Sequence, residues 1–160
     1  MTDPSEGKVL PRLSLRATLV DNVDLPEDLL EGWTLLYFYP KDDTPGCTKQ
    51  ACAYRDEGAK FKELGVKLFG VSMDDIVSHE EFREKYHLNF PLISDPDHQL
   101  ADFLGVYGER EWNGKKFMGL SRDTFLLDPQ GKVVKAFRAV DPSATVGQTY
   151  EEIKKLVAKA

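Results

Sequence analysis

Apolar residues fall along this chain in short continuous runs and in stretches with helical spacing. The most apolar run covers residues 33–39, WTLLYFY, contains a single threonine and is followed directly by Pro40. A short run of this composition is typical of a strand buried on both faces. Residues 41–46 have turn chemistry, and from Cys47 the sequence favours a helix that Gly65 can cap. The pattern predicts a buried strand, a turn, and a helix with Cys47 in its first turn.

Further strands and helices are predicted along the rest of the chain. Loose alternation predicts a half-exposed strand within residues 10–19, and we expect the following connection through residue 32 to contain a helical turn at 27–30. Short apolar runs predict strands at 66–71 and 90–94. Ser78 and Glu81 form a capping box, which predicts a helix that continues to Tyr86.

The last third of the chain contains turn signals flanked by strand patterns. Asn113 and Gly114 form a strong turn dipeptide, which predicts a loop or hairpin within 107–120 after a short helix at 99–104. Two apolar segments flank a Pro-Gln-Gly turn and should pair as an antiparallel hairpin; they cover residues 123–128 and 132–140. Apolar residues at helical spacing predict a C-terminal amphipathic helix.

This order of elements predicts the fold class. Alternating strands and helices followed by a hairpin imply an α/β protein whose central mixed β-sheet has helices on both faces. A thioredoxin-like fold fits this order. At 160 residues the chain is long enough for one domain, and we expect a single domain over residues 1–160 in which the polar residues 1–8 are flexible.

Composition and charge exclude several classes of protein. The net charge is −6 with no clustered excess of Lys and Arg, so we expect no nucleic-acid partner. No apolar run approaches the roughly 20 residues that span a bilayer, so we expect no membrane partner. The first residues contain early acids and no apolar core of a signal peptide. These observations predict a cytoplasmic protein.

The two cysteines, Cys47 and Cys52, are the candidate reactive groups. In the first turn of a helix, free backbone N–H groups and the helix dipole favour the thiolate, which is the nucleophilic form. The alternative is that Cys47 is a small buried hydrophobic residue. The cysteines form no C-x-x-C pair, and the histidines show no metal-ligand spacing with them, so we expect neither a metal nor a cofactor.

The segments YPKDDTPGCTKQAC and SRDTFLLD together resemble peroxiredoxins of the bacterioferritin comigratory protein (PrxQ) type, and the resemblance covers nearly the whole chain. The family pattern of a proline, a threonine and a cysteine is matched by Pro40, Thr44 and Cys47. Arg122 matches the active-site arginine of the family. The resemblance implies a thiol-dependent peroxidase that reduces hydrogen peroxide and organic hydroperoxides.

Each of these residue types suits the implied reaction. The Cys47 thiolate would attack the terminal peroxide oxygen and become a sulfenic acid. Arg122 would hold the thiolate and donate hydrogen bonds to the peroxide oxygens. The Thr44 hydroxyl would orient the peroxide, and Pro40 would fix the turn and shield the thiolate.

Cys52 occupies the resolving position that some family members have, which implies an intramolecular disulfide with Cys47. On a regular helix a spacing of five residues separates the Cα atoms by about 8–9 Å, whereas a disulfide needs less than about 7 Å. We therefore expect the first turns of the helix to unwind before the disulfide forms. The alternative is that Cys52 is a core residue and an external thiol resolves Cys47.

The resemblance also implies a reductant, thioredoxin or a similar dithiol protein, and a monomeric state. Two other functions use the same thiols: a thiol-disulfide oxidoreductase, and a redox-sensing or holdase module with the same disulfide switch. We expect Asp42 and Asp43 to be solvated turn formers. The three histidines should be surface or capping residues; they are His79, His87 and His98.

Overall fold

A seven-stranded mixed β-sheet forms the centre of the structure, a computed structural model that describes residues 3–159. The strands within this range are β1 Leu13–Ala17, β2 Asp21–Leu25, β3 Trp33–Phe38, β4 Val66–Ser72, β5 Leu92–Ser94, β6 Tyr107–Trp112, β7 Lys115–Leu120, β8 Thr124–Leu127 and β9 Val133–Phe137. The order in the sheet is β2-β1-β5-β4-β3-β8-β9, and β6 pairs with β7 in a separate hairpin.

Four helices lie between strands in the described sequence, and a fifth follows β9. They are α1 Pro45–Glu57, α2 Ala59–Glu63, α3 Ile76–Tyr86, α4 Gln99–Phe103 and α5 Thr145–Ala158, and a 3₁₀ turn covers Glu27–Leu29. None of the helices in the described part of the chain combines the length and the apolar character needed to cross a membrane.

Strand direction follows the connections between the strands. The strands β3, β4 and β5 are parallel, because helices cross over between them. The pairs β3–β8 and β8–β9 are antiparallel, as are β1–β2 and β1–β5. The predicted mixed sheet, and the predicted pairing of the two strands around the Pro-Gln-Gly turn, are confirmed.

Two apolar cores lie on opposite faces of the sheet. Successive residues of β3 point to opposite faces, so Leu36 and Phe38 join one core and Leu35 and Tyr37 join the other. The second core also contains buried residues of α1, α2, α3 and α5, and the first contains residues of α4 and of the 3₁₀ turn. The prediction of helices on both faces is therefore confirmed.

Local structure differs from the prediction at several elements. The predicted strand at 10–19 is shorter, and β2 occupies part of the predicted connection. The helix expected to run from Cys47 to Gly65 divides at Gly58 into α1 and α2. Asp75, rather than Ser78, caps α3, since the Asp75 carboxylate accepts a hydrogen bond of 2.8 Å from the Ser78 N–H. The predicted turn of the β6–β7 hairpin is confirmed, with positive φ at both central residues.

The sequence predicts flexible residues 1–8; residues 1 and 2 lie outside the described range, and several of residues 3–8 are hydrogen-bonded to the rest of the fold. Asp3 forms a two-pronged ion pair with Arg138, with both N···O distances at 2.8 Å. The Gly7 N–H donates to the Val133 carbonyl at 2.8 Å. Arg138 also donates to the buried Asp123 at 2.9 Å, so the ion pair joins the start of the chain to the residue after Arg122. These long-range contacts were not visible in the local composition.

Candidate active site

The turn after β3 and the beginning of α1 bring the first candidate residues together. Thr44 is the N-cap of α1 and has extended backbone angles, with φ −96° and ψ 157°. Pro45 occupies the first helical position, where its fixed φ suits the helix and its missing N–H leaves no unsatisfied donor. Cys47 therefore lies in the first turn of α1, as the sequence pattern predicts. Pro40 lies at the exposed start of the preceding turn.

Cys47 is buried, with 1% of its surface exposed, and it faces a charged group. Nη1 of Arg122 lies 3.4 Å from Cys47 Sγ, within hydrogen-bond distance for a sulfur acceptor. An adjacent guanidinium and the positive end of a helix dipole both favour a thiolate. The alternative of a purely apolar buried cysteine does not account for the arginine at this distance.

Arg122 is oriented by a chain of buried polar side chains. Its Nη1 also donates to Gln50 Oε1 at 3.0 Å. Gln50 Nε2 donates to the Thr145 hydroxyl at 3.1 Å, and this hydroxyl lies 3.0 Å from the Tyr54 hydroxyl. Gln50, Thr145 and Tyr54 have no exposed surface. These hydrogen bonds connect α1 and the start of α5 to the arginine that faces the thiol.

Gln50 is a site residue that the sequence analysis missed. It lies three residues after Cys47, one helical turn along α1, so its side chain extends from the same face of the helix. The available signal was a polar residue on the helix face that also carries the reactive thiol.

Gly46 leaves room for the guanidinium of Arg122. A Cβ atom at this position would lie 3.2 Å from Arg122 Nη2 and 3.6 Å from Pro142 Cγ. The first distance is shorter than ordinary van der Waals contact, so a side chain here would push the arginine. The glycine before the cysteine therefore permits the close approach of Arg122 to α1.

The Thr44 hydroxyl has a fixed orientation. Its Oγ1–H donates to the Lys41 carbonyl at 2.9 Å. Because the hydroxyl proton is used in this bond, the lone pairs of Oγ1 remain to accept a hydrogen bond from a ligand. Thr44 is half-buried, so a small molecule has access to it. A hydroperoxide, which carries at least one O–H donor, suits such an acceptor.

Asp42 is buried, contrary to the expectation that it is a solvated turn former. It is 7% exposed, and its carboxylate accepts three hydrogen bonds. The donors are Tyr39 Oη at 2.6 Å, Ser78 Oγ at 2.8 Å and His79 Nδ1 at 2.7 Å. Burial, followed by the charge of Asp42, raises the pKa of Tyr39 well above its usual value, so this phenol stays protonated as a donor.

His79 has no exposed surface, so the expectation of a surface or capping role is wrong for this residue. Its Nε2 lies 3.0 Å from the Ile93 carbonyl, which can only accept, so Nε2 carries a proton. Its Nδ1 lies 2.7 Å from Asp42 Oδ2, and that contact needs a second proton between the two atoms. The buried imidazole therefore bridges the Asp42 carboxylate and the backbone of β5.

Asp43 has the expected partly exposed position but is also tied to α3. Its carboxylate accepts from Lys85 Nζ at 2.8 Å and from Tyr86 Oη at 2.7 Å. The hydrogen bond from Lys85, then that from Tyr86, lowers the pKa of Asp43 below its usual value. Both acids of the turn are thus bonded to α3, Asp42 near its start and Asp43 near its end.

One group of side chains within residues 3–159 has the composition of a metal site. Ligand atoms of Asp42, Asp74 and His79 all lie within 4.8 Å of one another. These atoms are engaged in hydrogen bonds: Asp74 Oδ2 accepts from the Asp42 N–H at 2.8 Å and from Ser72 Oγ at 2.7 Å. A cation bound here would have to displace the N–H and O–H groups that donate to these carboxylates. We therefore interpret Asp42, Asp74 and His79 as a hydrogen-bonded network.

Cys52 lies in the middle of α1 and is half-buried. Both cysteines are free thiols, and α1 is continuous from Pro45 to Glu57. Cys52 is not part of either apolar core, whereas Cys47 belongs to the core that contains Tyr37 and Tyr54. The structure therefore has the form expected before any disulfide, with an intact helix.

Comparisons with known proteins agree on one family. The model of the AhpC/TSA family matches residues 7–136. Peroxiredoxin Bcp of Bacillus subtilis is 38% identical over 153 residues, which are 96% of this chain and 97% of that protein. Peroxiredoxin Bcp of Escherichia coli is 42% identical over 131 residues, covering 82% and 83% of the two chains.

Solved structures give the same result. A PrxQ mutant from Xylella fastidiosa has a TM-score of 0.86 at 29% identity and covers 94% of this chain and 96% of its own. The bacterioferritin comigratory protein of Xanthomonas campestris, described for its alkyl peroxide reduction activity, has a TM-score of 0.84 at 34% identity. That match covers 93% of this chain and 98% of the other.

Proposed function

The chain belongs to the AhpC/TSA family and is a thiol peroxidase of the peroxiredoxin Bcp (PrxQ) type, and on this premise we propose that Cys47 is its peroxide-reacting residue. The fold is the thioredoxin-like α/β fold expected from the order of elements. Membership of the family gives the protein a hydroperoxide substrate and a thiol reductant. The assignment of residues to steps rests on the geometry of the site.

The contact between Arg122 and Cys47 carries the proposal. Cys47 Sγ lies at the start of α1 and 3.4 Å from a permanently charged guanidinium. A second nitrogen of the same group, Nη2, lies beside Gly46 and has no side chain between it and the start of the helix. The arginine is therefore placed both to stabilise the thiolate and to donate to an oxygen that approaches the sulfur.

In the first step the Cys47 thiolate attacks the terminal oxygen of a hydroperoxide. A sulfur–oxygen bond forms and the oxygen–oxygen bond breaks, so Cys47 becomes a sulfenic acid and the substrate leaves as hydroxide or alkoxide. The leaving oxygen takes up a proton to give water or an alcohol. Arg122 stabilises the negative charge that moves onto this oxygen, and Thr44 accepts the hydrogen bond that orients the substrate.

In the second step Cys52 resolves the sulfenic acid. Its thiolate attacks Cys47 Sγ, the sulfur–sulfur bond forms, the sulfur–oxygen bond breaks, and hydroxide leaves to become water. Because a helix spacing of five residues holds the Cα atoms about 8–9 Å apart, the first turns of α1 must unwind for this step. The two free thiols on one continuous helix support this assignment.

The disulfide is then returned to two thiols by thioredoxin or a similar dithiol protein. The reductant supplies two electrons and becomes a disulfide itself. Hydrogen peroxide and organic hydroperoxides are the proposed substrates, and the alkyl peroxide activity described for the Xanthomonas campestris relative supports the organic class. We place the enzyme in the cytoplasm as a monomer.

Peroxide consumption in the presence of thioredoxin, thioredoxin reductase and NADPH tests the proposal. The parent should turn over, Cys47→Ser should not, and Cys52→Ser should lose turnover with this reductant. Mass spectrometry of the peroxide-treated parent should show the loss of two hydrogens within one chain. If Cys47→Ser consumes peroxide as fast as the parent, Cys47 is not the reacting residue.

The same assay separates the alternatives. A redox-sensing or holdase module would form a sulfenic acid or disulfide without rapid turnover. A thiol-disulfide oxidoreductase would reduce an insulin disulfide faster than it consumes peroxide. If an external thiol resolves Cys47, Cys52→Ser would keep its turnover with that thiol.

A further inference from the structure

One peptide group in the turn before α1 controls the Thr44 hydroxyl. The carbonyl of Lys41, which accepts from Thr44 Oγ1 at 2.9 Å, and the N–H of Asp42, which donates to Asp74 Oδ2 at 2.8 Å, belong to the same planar unit. A rotation that breaks one of these bonds also displaces the other. The direction of the Thr44 hydroxyl therefore depends on what holds this peptide group.

The hydrogen-bonded side chain of Asp42 also restrains this peptide group, because the Asp42 Cα is attached directly to it. Its carboxylate accepts hydrogen bonds of 2.6–2.8 Å from Tyr39, Ser78 and His79. Tyr39 belongs to the segment after β3, while Ser78 and His79 belong to α3. Asp42 is thus fixed between the sheet and a helix that contains no cysteine.

His79 is the best-fixed of these donors. It is fully buried, and both ring nitrogens are used, Nδ1 toward Asp42 and Nε2 toward the Ile93 carbonyl of β5. The imidazole therefore connects the central sheet to the turn that carries Thr44. Neither Asp42 nor His79 is placed next to Cys47 Sγ by the contacts of the site, so neither is a catalytic residue.

We propose that Asp42, His79 and Asp74 are positioning residues for the peroxide reaction, acting on Thr44 through the Lys41–Asp42 peptide group. The inference rests on the proposed function in one respect, that Thr44 orients the peroxide at Cys47. The network keeps the Thr44 lone pairs directed at the substrate and leaves the nucleophilicity of the thiol unchanged. Misplacement of an orienting group by about 1 Å can slow a reaction about 100-fold.

Two substitutions of His79 separate its two hydrogen bonds. His79→Asn keeps an N–H near the position of Nδ1, toward Asp42, and His79→Gln keeps one near Nε2, toward Ile93. Asp74→Ala removes the acceptor of the Asp42 N–H, so it frees the Lys41–Asp42 peptide group without changing the buried imidazole. His98→Asn is the matched control, since His98 forms an exposed His–Asp pair of 2.7 Å with Asp102 on α4.

Two rates are measured for each full-length variant. The rate of Cys47 oxidation is obtained by competition with a haem peroxidase for hydrogen peroxide, and the rate of Cys47 alkylation by iodoacetamide is obtained by peptide mass spectrometry. Alkylation by iodoacetamide requires the Cys47 thiolate but does not require Thr44 to orient the reagent. We expect oxidation to fall at least tenfold in His79→Gln and Asp74→Ala, with alkylation within about twofold of the parent. His79→Asn should recover most of the oxidation rate, and His98→Asn should match the parent in both.

Several results would overturn the inference. One is parent-like oxidation in His79→Gln or Asp74→Ala. Another is an equal loss in His79→Asn and His79→Gln together with faster alkylation, which would indicate general loosening of the site. If His79→Gln does not fold, Asp74→Ala decides the question alone. A parent protein whose Cys47 does not react with peroxide would instead refute the proposed function, so the two failures are distinguishable.

Discussion

Gln50 accepts a hydrogen bond of 3.0 Å from Arg122 Nη1, the same nitrogen that donates to Cys47 Sγ at 3.4 Å. A terminal guanidinium nitrogen carries two hydrogens, and the two acceptors use one each. The direction of the bond to sulfur is therefore set by the position of the Gln50 amide. Gln50 is itself fixed by its bond to Thr145 at the start of α5.

Replacing Gln50 tests this relationship. Gln50→Met keeps the length of the side chain and removes both hydrogen bonds, so we expect Cys47 oxidation to slow about tenfold and stability to fall by about 1–3 kcal/mol. Gln50→Glu keeps an acceptor for Arg122 and loses the donor to Thr145. It should retain more of the oxidation rate than Gln50→Met. Equal rates in the two variants would show that the bond to Arg122 is unimportant.

Gly46→Ala should slow the enzyme without unfolding it. The added Cβ would lie 3.2 Å from Arg122 Nη2, and the guanidinium must move away to accept it. We expect about a tenfold loss of peroxide reactivity, because the guanidinium must shift by a few tenths of an ångström, less than the displacement of about 1 Å that can slow a reaction about 100-fold.

Gly147→Ala is the matched control for this substitution. Gly147 lies in α5, and a Cβ there meets nothing within 4 Å. This variant should keep full activity and gain up to about 1 kcal/mol from the better helix propensity of alanine. Full activity in Gly46→Ala would contradict the crowding argument.

The ion pair between Asp3 and Arg138 should make stability depend on acid pH. The hydrogen bond from Arg138 is the main cause that holds the pKa of Asp3 well below the usual value for an aspartate. Because the folded-state pKa is depressed, the stabilisation is present above the unfolded-state pKa and disappears as the pH falls toward the folded-state value. Urea unfolding should show Asp3→Asn less stable than the parent at pH 7, with the gap in unfolding free energy closing as the pH falls below about 4. A gap that is constant with pH would exclude the ion pair as its cause.

The buried phenol of Tyr54 should destabilise the fold in alkali. Burial raises its pKa from 10.0 to about 12, with hydrogen bonds from Thr145 and neighbouring threonines acting in the opposite direction. Since the folded-state pKa is raised, stability is complete below pH 10 and is lost as the pH rises from 10 toward 12. Tyr54→Phe should lose less stability over this interval than the parent, as measured by urea unfolding. Identical alkaline slopes would show that Tyr54 ionises freely in the folded protein.

Local sequence was sufficient for the parts of the site that depend on consecutive residues. The apolar run of β3, the turn and the start of α1 are determined by neighbours, so the place of Cys47 in the first helical turn was predictable. The β6–β7 turn was predictable for the same reason, because Asn113 and Gly114 tolerate positive φ. The contact of Arg122 with Cys47 was expected only through the family resemblance.

Other features depend on residues far apart in the sequence. The segment around His79 is rich in charged residues and looks exposed, yet Asp42 and the Ile93 carbonyl supply partners for both ring nitrogens. β2 was missed because three of its five residues are acidic or amide residues; only Val23 and Leu25 face the core at this edge of the sheet. Gln50 was missed because its partners are 72 and 95 residues away.

The chain of contacts from Cys47 through Arg122 and Gln50 to Thr145 also has a consequence for biosynthesis. A protein is made from its N-terminus, so Cys47 leaves the ribosome well before Arg122, and Thr145 follows later still. Until those segments dock, the thiol has neither its guanidinium nor the buried position that the finished fold provides. If Cys47 has the proposed role, its peroxide reactivity is therefore acquired only after the residues up to Thr145 have been made and have docked.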